Sequence, residues 1–203
     1  MNRQPLLYRT LCLGAVLLTG TLASACGGGG SSGGGGGGMG NLVATFVAGN
    51  PAPGANTISL APGGSNGASF SVVVQITGRN DLLSAAFHVT YDPAVAEFVG
   101  FSSAGSFLTS NGDDLFFDAE LDQGMPGEVK VIAAITDERP PGVDFVGTQT
   151  LITLNFMALT TAQNSAFGFA GPDDTEFHIC PTQDGECTTT NMNQSGGFLN
   201  ATQ

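Results

Sequence analysis

Apolar and polar residues alternate with a period of two through most of residues 41–203, and this feature most constrains the fold. In 69–77 (SFSVVVQIT) one set of alternate positions is entirely apolar and the other is mainly polar. The same alternation occurs in 83–91, 129–136 and 150–158. Successive side chains of a strand point to opposite faces of its sheet, so these segments are predicted strands with one buried face.

Weaker alternation marks further candidate strands, at 42–48, 57–60, 95–102, 114–120, 165–169, 174–180 and 196–201. Turn-forming residues separate them, as in Pro62-Gly63-Gly64 and Pro140-Pro141-Gly142. No stretch of ten or more residues carries a helical stripe, and one helical turn is expected near Asp92–Val95. Many short strands with regular turns predict an all-β sandwich or jelly roll.

The first 25 residues have the pattern of a signal peptide. Two arginines precede an apolar stretch at 11–22, which is too short to span a bilayer. Ala23-Ser24-Ala25-Cys26 then resembles the bacterial lipobox, in which the cysteine receives the lipid. We therefore expect residues 1–25 to be a lipoprotein signal peptide and Cys26 to be the lipidation site, although an ordinary secretory signal cut near Ala25 is the alternative.

This leader predicts an exported protein, either secreted or lipid-anchored to the cell envelope. In a Gram-negative cell, Gly27 in place of aspartate favours the outer membrane. Residues 27–40 (GGGGSSGGGGGGMG) have almost no side chains to bury, and glycine loses much backbone entropy on ordering. The segment 26–40 is therefore predicted to be a lipidated cysteine followed by a disordered, flexible tether, and 41–203 to be the folded domain.

Charge and composition exclude several function classes. The chain has 5 basic and 17 acidic residues, with a formal net charge of −12. Such a chain repels phosphate backbones, so a nucleic-acid partner is not expected. The chain has only 2 histidines, which leaves few candidates for histidine-based catalysis, and it has no tryptophan. These features favour a binding or structural module that is not an enzyme.

Four cysteines reduce to two in the folded domain, since Cys12 lies in the leader and Cys26 is the predicted lipid acceptor. Cys180 and Cys187 enclose a short loop with turn-forming residues. An exported compartment permits oxidation, so a local disulfide is predicted. Zinc binding through His178, Cys180 and Cys187, or free thiols, remain open alternatives.

Four segments together resemble the cohesin family. Gly67–Val74 is a valine-rich strand, Leu82–Pro93 is a strand that ends in Tyr-Asp-Pro, and Gly127–Val131 and Gly147–Phe156 follow in the same order. The resemblance covers roughly residues 41–170. It implies a jelly-roll sandwich of about nine strands that binds dockerin modules and thereby assembles polysaccharide-degrading complexes. In that family an exposed sheet face makes the contact, so no individual binding residue is transferred.

Tyr91, Asp92 and Pro93 form the sharpest part of this resemblance, and their expected role is mainly structural. Tyr91 ends a strand on its buried face, and Asp92 can cap the following turn. The opposite face of the same strand carries Ser84, Ala86, His88 and Thr90. This small polar surface is either the candidate binding face or a solvated sheet surface.

Three other groups of residues have two interpretations each. The acidic side chains between residues 113 and 122 either bind calcium or solubilise a loop: Asp113, Asp114, Asp118, Glu120 and Asp122. Either Phe116 or Phe117 must point outward in a strand, as a binding anchor or beneath a loop. The nearest approach to an acid–base cluster is a group of three carboxylates near a histidine: Asp173, Asp174, Glu176 and His178. No catalytic residue, no protein metal ligand and no required cofactor is predicted.

The sequence therefore predicts a non-enzymatic, envelope-anchored cohesin-like module that recognises a dockerin-type protein linked to polysaccharide degradation. A carbohydrate-binding or surface adhesion domain on the same sandwich fold is the alternative. The exposed sheet face discriminates between them. A line of aromatic side chains favours a glycan, and a mixture of small polar and aliphatic side chains favours a protein.

Overall fold

The computed structural model describes residues 41–111, 114–136, 141–171, 174–181 and 186–203. They belong to a compact unit that spans Gly38–Gln203. The predicted signal peptide (1–25) and tether (26–40) lie outside the described residues. Within the described part of the chain, no helix has the length and apolar character needed to cross a membrane.

The described residues form a sandwich of two β-sheets, as the alternation predicts. The larger sheet contains eight strands: β1 (Val43–Ala48), β4 (Leu82–Thr90), β6 (Leu115–Leu121), β7 (Glu128–Ile135), β9 (Ala162–Phe169), β10 (Thr175–Ile179), β11 (Thr188–Thr190) and β13 (Gly197–Thr202). The smaller sheet contains five: β2 (Thr57–Asn66), β3 (Ser69–Thr77), β5 (Ala96–Ser102), β8 (Thr148–Ala158) and β12 (Asn193–Ser195). A 3₁₀ helix (Phe107–Asn111) follows β5.

β4 is the central strand of the larger sheet. It pairs with β7 along one edge, and with β10 and then β9 along the other. β6 continues the sheet beyond β7, while β13 and β1 continue it beyond β9. In the smaller sheet the order is β12-β2-β3-β8-β5.

The core lies between the sheets and is filled by the apolar side of each alternating strand. In β3 and β4 the alternate apolar residues are at most 2% exposed: Phe70, Val72, Val74, Ile76, Ala85, Phe87 and Val89. Aromatic rings from both sheets meet around Phe156 of β8. The centroid of its ring lies 5.6 Å from that of Phe70 of β3 and 5.2 Å from that of Phe167 of β9. These ring contacts connect the two sheets. Burial of apolar surface is the main favourable free energy of folding, so the contacts stabilise the packing of one sheet on the other.

The prediction of a turn at Pro62-Gly63-Gly64 was wrong, because β2 continues through it. The register with β3 shifts between Pro62 and Ser65, which is the sign of a β-bulge. A Cβ atom on Gly63 would lie 2.8 Å from the Ser71 Cβ, so only glycine permits this close approach of the two strands.

The expected number of about nine strands was too low, since the described residues contain thirteen. Two of the additional strands, β11 and β12, have three residues each and are too short to show an alternating pattern. Backbone pairing defines them, because β11 extends β10 and β12 runs parallel to β2. The 3₁₀ helix was likewise unpredicted.

Candidate docking face

The outer side of β6, β7, β4 and β10 forms one continuous surface, which we call the charged face. Strand register places outward side chains in rows across it, so that Asp118, Ile132, Ala86 and Glu176 are cross-strand neighbours. The charged face consists of the outward-pointing residues of these strands: Phe116, Asp118, Glu120, Glu128, Lys130, Ile132, Ala134, Ser84, Ala86, His88, Thr90, Glu176 and His178.

The four predicted face residues of β4 lie together at the centre of this surface. Ser84, Ala86, His88 and Thr90 are each half-buried, while the residues between them are buried. That β6, β7 and β10 share this face was not predicted from the sequence, because sheet pairing is a tertiary property. The alternation in 129–136 was the available signal, since it already placed Lys130 and its alternate neighbours opposite the buried valines.

A hydrogen bond and an ion pair lie at one end of the charged face. His88 Nδ1 is 3.1 Å from Glu128 Oε2. Lys130 Nζ is 3.0 Å from Asp122 Oδ2. Lys130 is directly opposite His88 in the β4–β7 register, and Glu128 is diagonal to it, which is a normal distance for side-chain interaction across a sheet. These four groups therefore form one small ionic cluster.

The turn between β6 and β7 holds Asp122 in this cluster. Its Oδ1 accepts a hydrogen bond of 2.8 Å from the Gly124 backbone N–H. That hydrogen bond, followed by the ion pair with Lys130 and the proximity of His88, lowers the pKa of Asp122 below its ordinary value. All three interactions favour the ionised carboxylate, so Asp122 is negatively charged at neutral pH.

Exposed apolar side chains lie on the inner strand β7 and on the edge strand β6 of the charged face. Ile132 is 42% exposed, and the adjacent residues in β7, Val131 and Ala133, are buried. Phe116 is the outward-pointing member of the Phe116–Phe117 pair, with 47% exposure, while Phe117 packs against the core. The charged face is thus a mixed surface in which apolar groups are bordered by ionic ones.

The Tyr-Asp-Pro segment lies at the end of β4. The Tyr91 ring packs 5.2 Å from Phe156 and 5.7 Å from Phe167, and burial raises the pKa of its hydroxyl group. Asp92 Oδ1 accepts a hydrogen bond of 2.9 Å from the Ala94 backbone N–H. Its carbonyl oxygen accepts two more, from the N–H groups of residues 95 and 96. The segment therefore ends the strand and caps a single turn.

Cys180 and Cys187 form a disulfide with a Cα–Cα distance of 4.4 Å. This arrangement excludes the free-thiol and zinc interpretations of these two cysteines, because both sulfur atoms are already bonded. His178, the third member of the zinc hypothesis, lies on the charged face, where its Nε2 is 3.7 Å from Glu176 Oε2.

The acidic run does not converge on one point. Asp118 and Glu120 point outward along β6, where alternate residues are about 7 Å apart, and Asp122 lies in the following turn. Asp113 and Asp173 lie outside the described residues. Within the described ranges, one group of three potential metal donors occurs, formed by His88, Asp122 and Glu128. This group was not predicted from the sequence, because only the β4–β7 pairing brings His88 close to Asp122 and Glu128.

The architecture matches that of a solved type II cohesin dyad from an adaptor scaffoldin of Acetivibrio cellulolyticus. The TM-score is 0.51 at 17% identity, and the match covers 70% of this chain and 48% of that chain. The chain has the cohesin fold. The fold that the sequence resemblance implied is therefore confirmed.

Two further cohesin structures are similar at lower TM-scores. A type II cohesin domain from the Acetivibrio cellulolyticus cellulosome has 16% identity and a TM-score of 0.47, covering 76% of this chain and 94% of that one. A non-cellulosomal cohesin from Archaeoglobus fulgidus has 19% identity and a TM-score of 0.43, covering 75% and 88%. No protein-family model matches the sequence, and no curated protein matches it significantly.

Proposed function

We propose that this protein is a non-enzymatic docking module that binds a dockerin-like protein through the charged face. The cohesin fold supports a binding role, and the family resemblance of the sequence implies this class of partner. The charged face supplies a continuous surface of four strands on which such a partner can lie.

The exposure of Ile132 is the observation that carries this proposal. The side chain lies on an inner strand, between Asp118 of β6 and Ala86 of β4, and it remains 42% exposed. A branched apolar side chain bordered by charged groups resembles the centre of a protein interface, where burial of a few anchors provides most of the binding free energy.

The surrounding charges favour a partner with basic groups. Asp118 lies opposite Ile132, Glu120 is diagonal to it, and Glu176 lies one strand further away, beyond Ala86. The chain as a whole carries a formal net charge of −12. Complementary charge increases the rate of association and disfavours acidic competitors. We therefore expect the bound surface of the partner to contain lysine or arginine side chains.

We further propose that Cys26 carries the lipid and that 26–40 is a flexible tether, so that the domain is displayed at the cell envelope. A role in polysaccharide degradation would then come from the enzyme that bears the dockerin. Mass spectrometry of the protein from its producing cell tests the anchor. Acyl mass on Cys26 is expected, and an unmodified mature terminus would contradict lipidation.

A matched pair of substitutions tests the docking face. Ile132→Lys introduces a cation into the charged face opposite Asp118, whereas Met157→Lys does the same on the outer side of the smaller sheet, opposite Glu97. The two original side chains are 42% and 38% exposed. Titration with purified dockerin modules from the producing organism should show at least tenfold weaker binding for Ile132→Lys, and unchanged binding for Met157→Lys.

Equal loss in both variants, or no dockerin binding by the unmodified protein, would overturn this assignment. A glycan array provides the contrasting measurement for the carbohydrate-binding alternative. Tyr91 packs within the core aromatic cluster. The exposed rings among the described residues, Phe101, Phe116 and Phe198, lie on β5, β6 and β13, and no two of these strands are paired. They do not form the row of stacking platforms expected for a glycan, so we expect the array to be empty.

A further inference from the structure

Three side chains from different segments bring metal-binding donor atoms together at one end of the charged face. His88 lies on β4, Glu128 begins β7, and Asp122 lies in the turn between β6 and β7. One donor atom from each residue lies within 4.8 Å of the other two. We propose that His88, Asp122 and Glu128 form a binding site for a divalent transition metal, and that Zn²⁺ is the ion it takes.

The chemistry of the donors selects this class of ion. Imidazole nitrogen and carboxylate oxygen are both ordinary zinc ligands, whereas calcium prefers six to eight oxygen ligands. With metal–ligand distances of about 2.0–2.2 Å, donor atoms of a tetrahedral zinc site lie about 3.4 Å apart. The separation of 3.1 Å between His88 Nδ1 and Glu128 Oε2 is close to that value.

The backbone already fixes the three segments in place. β4 and β7 are paired from Ser84 to Thr90, which sets the position of His88 relative to Glu128. The Asp122 backbone N–H donates a hydrogen bond of 2.9 Å to the Glu128 carbonyl oxygen. The backbone therefore holds the three donor atoms within 4.8 Å of one another.

The site is open to solvent on one side. The side chains of His88, Glu128 and Asp122 are 22%, 17% and 14% exposed. An ion can therefore enter, and the position left by three protein ligands can accept water. This arrangement of three protein ligands and one exchangeable position is common in zinc sites that are not purely structural.

Lys130 competes with the metal for Asp122. Its ammonium group lies 3.0 Å from Asp122 Oδ2 and directly opposite His88 in the register. Zinc binding must displace this cation or share the carboxylate with it. Removing the ammonium group should therefore strengthen zinc binding, whereas a cluster that serves only as an ion-pair network would gain nothing from the loss of Lys130.

The same sheet provides a matched control in Glu176 and His178. Their closest atoms are 3.7 Å apart and both side chains are at least 40% exposed. Within the described residues no third donor joins this pair. It therefore resembles the proposed site in residue type and strand setting, but it lacks the ligand number that zinc requires.

Isothermal titration of the purified, chelator-treated protein with ZnCl₂ tests the proposal. One saturable site per chain is expected, unaffected by excess calcium. His88→Ala and Glu128→Gln should each weaken binding at least tenfold, Lys130→Met should strengthen it several-fold, and His178→Ala should leave it unchanged. Circular dichroism spectra establish that each variant is folded.

Absence of saturable zinc binding would overturn the proposal. Binding that survives His88→Ala would also overturn it, since the ion would then occupy another site, such as the thiol of Cys12 or Cys26. Equal weakening by His178→Ala would assign the ion to nonspecific surface histidines. Zinc binding is measured without a protein partner. A negative zinc titration therefore does not affect the docking proposal, which the dockerin titration tests separately.

Discussion

The two outer surfaces of the sandwich arise from the same alternating pattern but differ in chemistry. The charged face carries the Lys130–Asp122 ion pair and the His88–Glu128 hydrogen bond. On the outer side of the smaller sheet, which we call the opposite face, a hydrogen bond of 2.9 Å between Ser71 and Asn155 links neighbouring strands.

The outward side chains of the two sheets thus differ, with an ion pair on the charged face and a hydroxyl–amide hydrogen bond on the opposite face. Hydroxyl and amide groups hydrogen-bond to one another or to water, and they discriminate little between partners. Charges attract complementary partners and repel similar ones, so they provide specificity. The alternation determines which residues of each strand point outward, and the side chains at those positions determine the chemistry of each face.

Both faces depend on the core between the sheets. Loss of a central aromatic ring is therefore expected to cause the largest decrease in the free energy of unfolding. Phe156→Ala removes a side chain that is 1% exposed and contacts rings from both sheets. We expect it to reduce the free energy of unfolding by about 3–5 kcal/mol, because it leaves a cavity. Chemical denaturation measures this loss.

Hydrogen exchange in the same variant sharpens the comparison of the faces. If they share one core, amides of β3 and β4 should lose protection together, and loss in one sheet alone would contradict this. Phe101→Ala provides the control, because Phe101 is 37% exposed and its loss should have a much smaller effect.

The disulfide should have a smaller effect that is local to the charged face. Replacing Cys180 and Cys187 by alanine releases a loop of eight residues, which the chain-entropy model values at about 2.5 kcal/mol. Because the bond links β10 to the start of β11, hydrogen exchange should increase there before it increases in β3.

Reduction of the unmodified protein should give the same loss of stability as the double alanine variant. Equal destabilisation of β3 and β10 would show that the disulfide supports the whole sandwich rather than one edge of it.

The smallest effect concerns the charge of Asp122. Its pKa is lowered in the folded protein, chiefly by the hydrogen bond from Gly124, so its stabilising contribution is present above the ordinary aspartate pKa of about 3.9. It is lost as the pH falls through the lower, folded value. Asp122→Asn should therefore lower the Tm slightly at pH 7 and not at about pH 2.

Glu97→Gln on the opposite face is the matched control, since Glu97 forms no salt bridge within the described residues. It should not reproduce the pH dependence of Asp122→Asn. If Asp122→Asn and Glu97→Gln change the Tm equally at every pH, then the interactions of Asp122 in the ionic cluster do not stabilise the folded protein.

The strands that could be predicted are those with a long alternating pattern. β3, β4, β7 and β8 lie within a residue or two of the predicted bounds, because burial of one face repeats along each strand. β11 and β12 could not be found this way, since three residues show no period. The continuation of β2 beyond Pro62 was missed because a local turn signal was overridden by pairing with β3.

The candidate site was partly predictable for the same reason. The outward positions of β4 followed from its alternation, so Ser84, Ala86, His88 and Thr90 were identified as one face. Their neighbours on β6, β7 and β10 could not be assigned, because a sequence pattern gives the direction of a side chain but not the identity of the adjacent strand.

By itself, the sequence determined that this chain forms strands with one buried face, and it placed the two cysteines close enough along the chain to pair. Both are local properties, set by the period of two and by the length of a loop. Only the tertiary structure decided that His88 meets Glu128 and Asp122, which are 34 or more positions away in sequence. Backbone hydrogen bonding between β4 and β7 creates that proximity, and no local pattern encodes which two strands will pair.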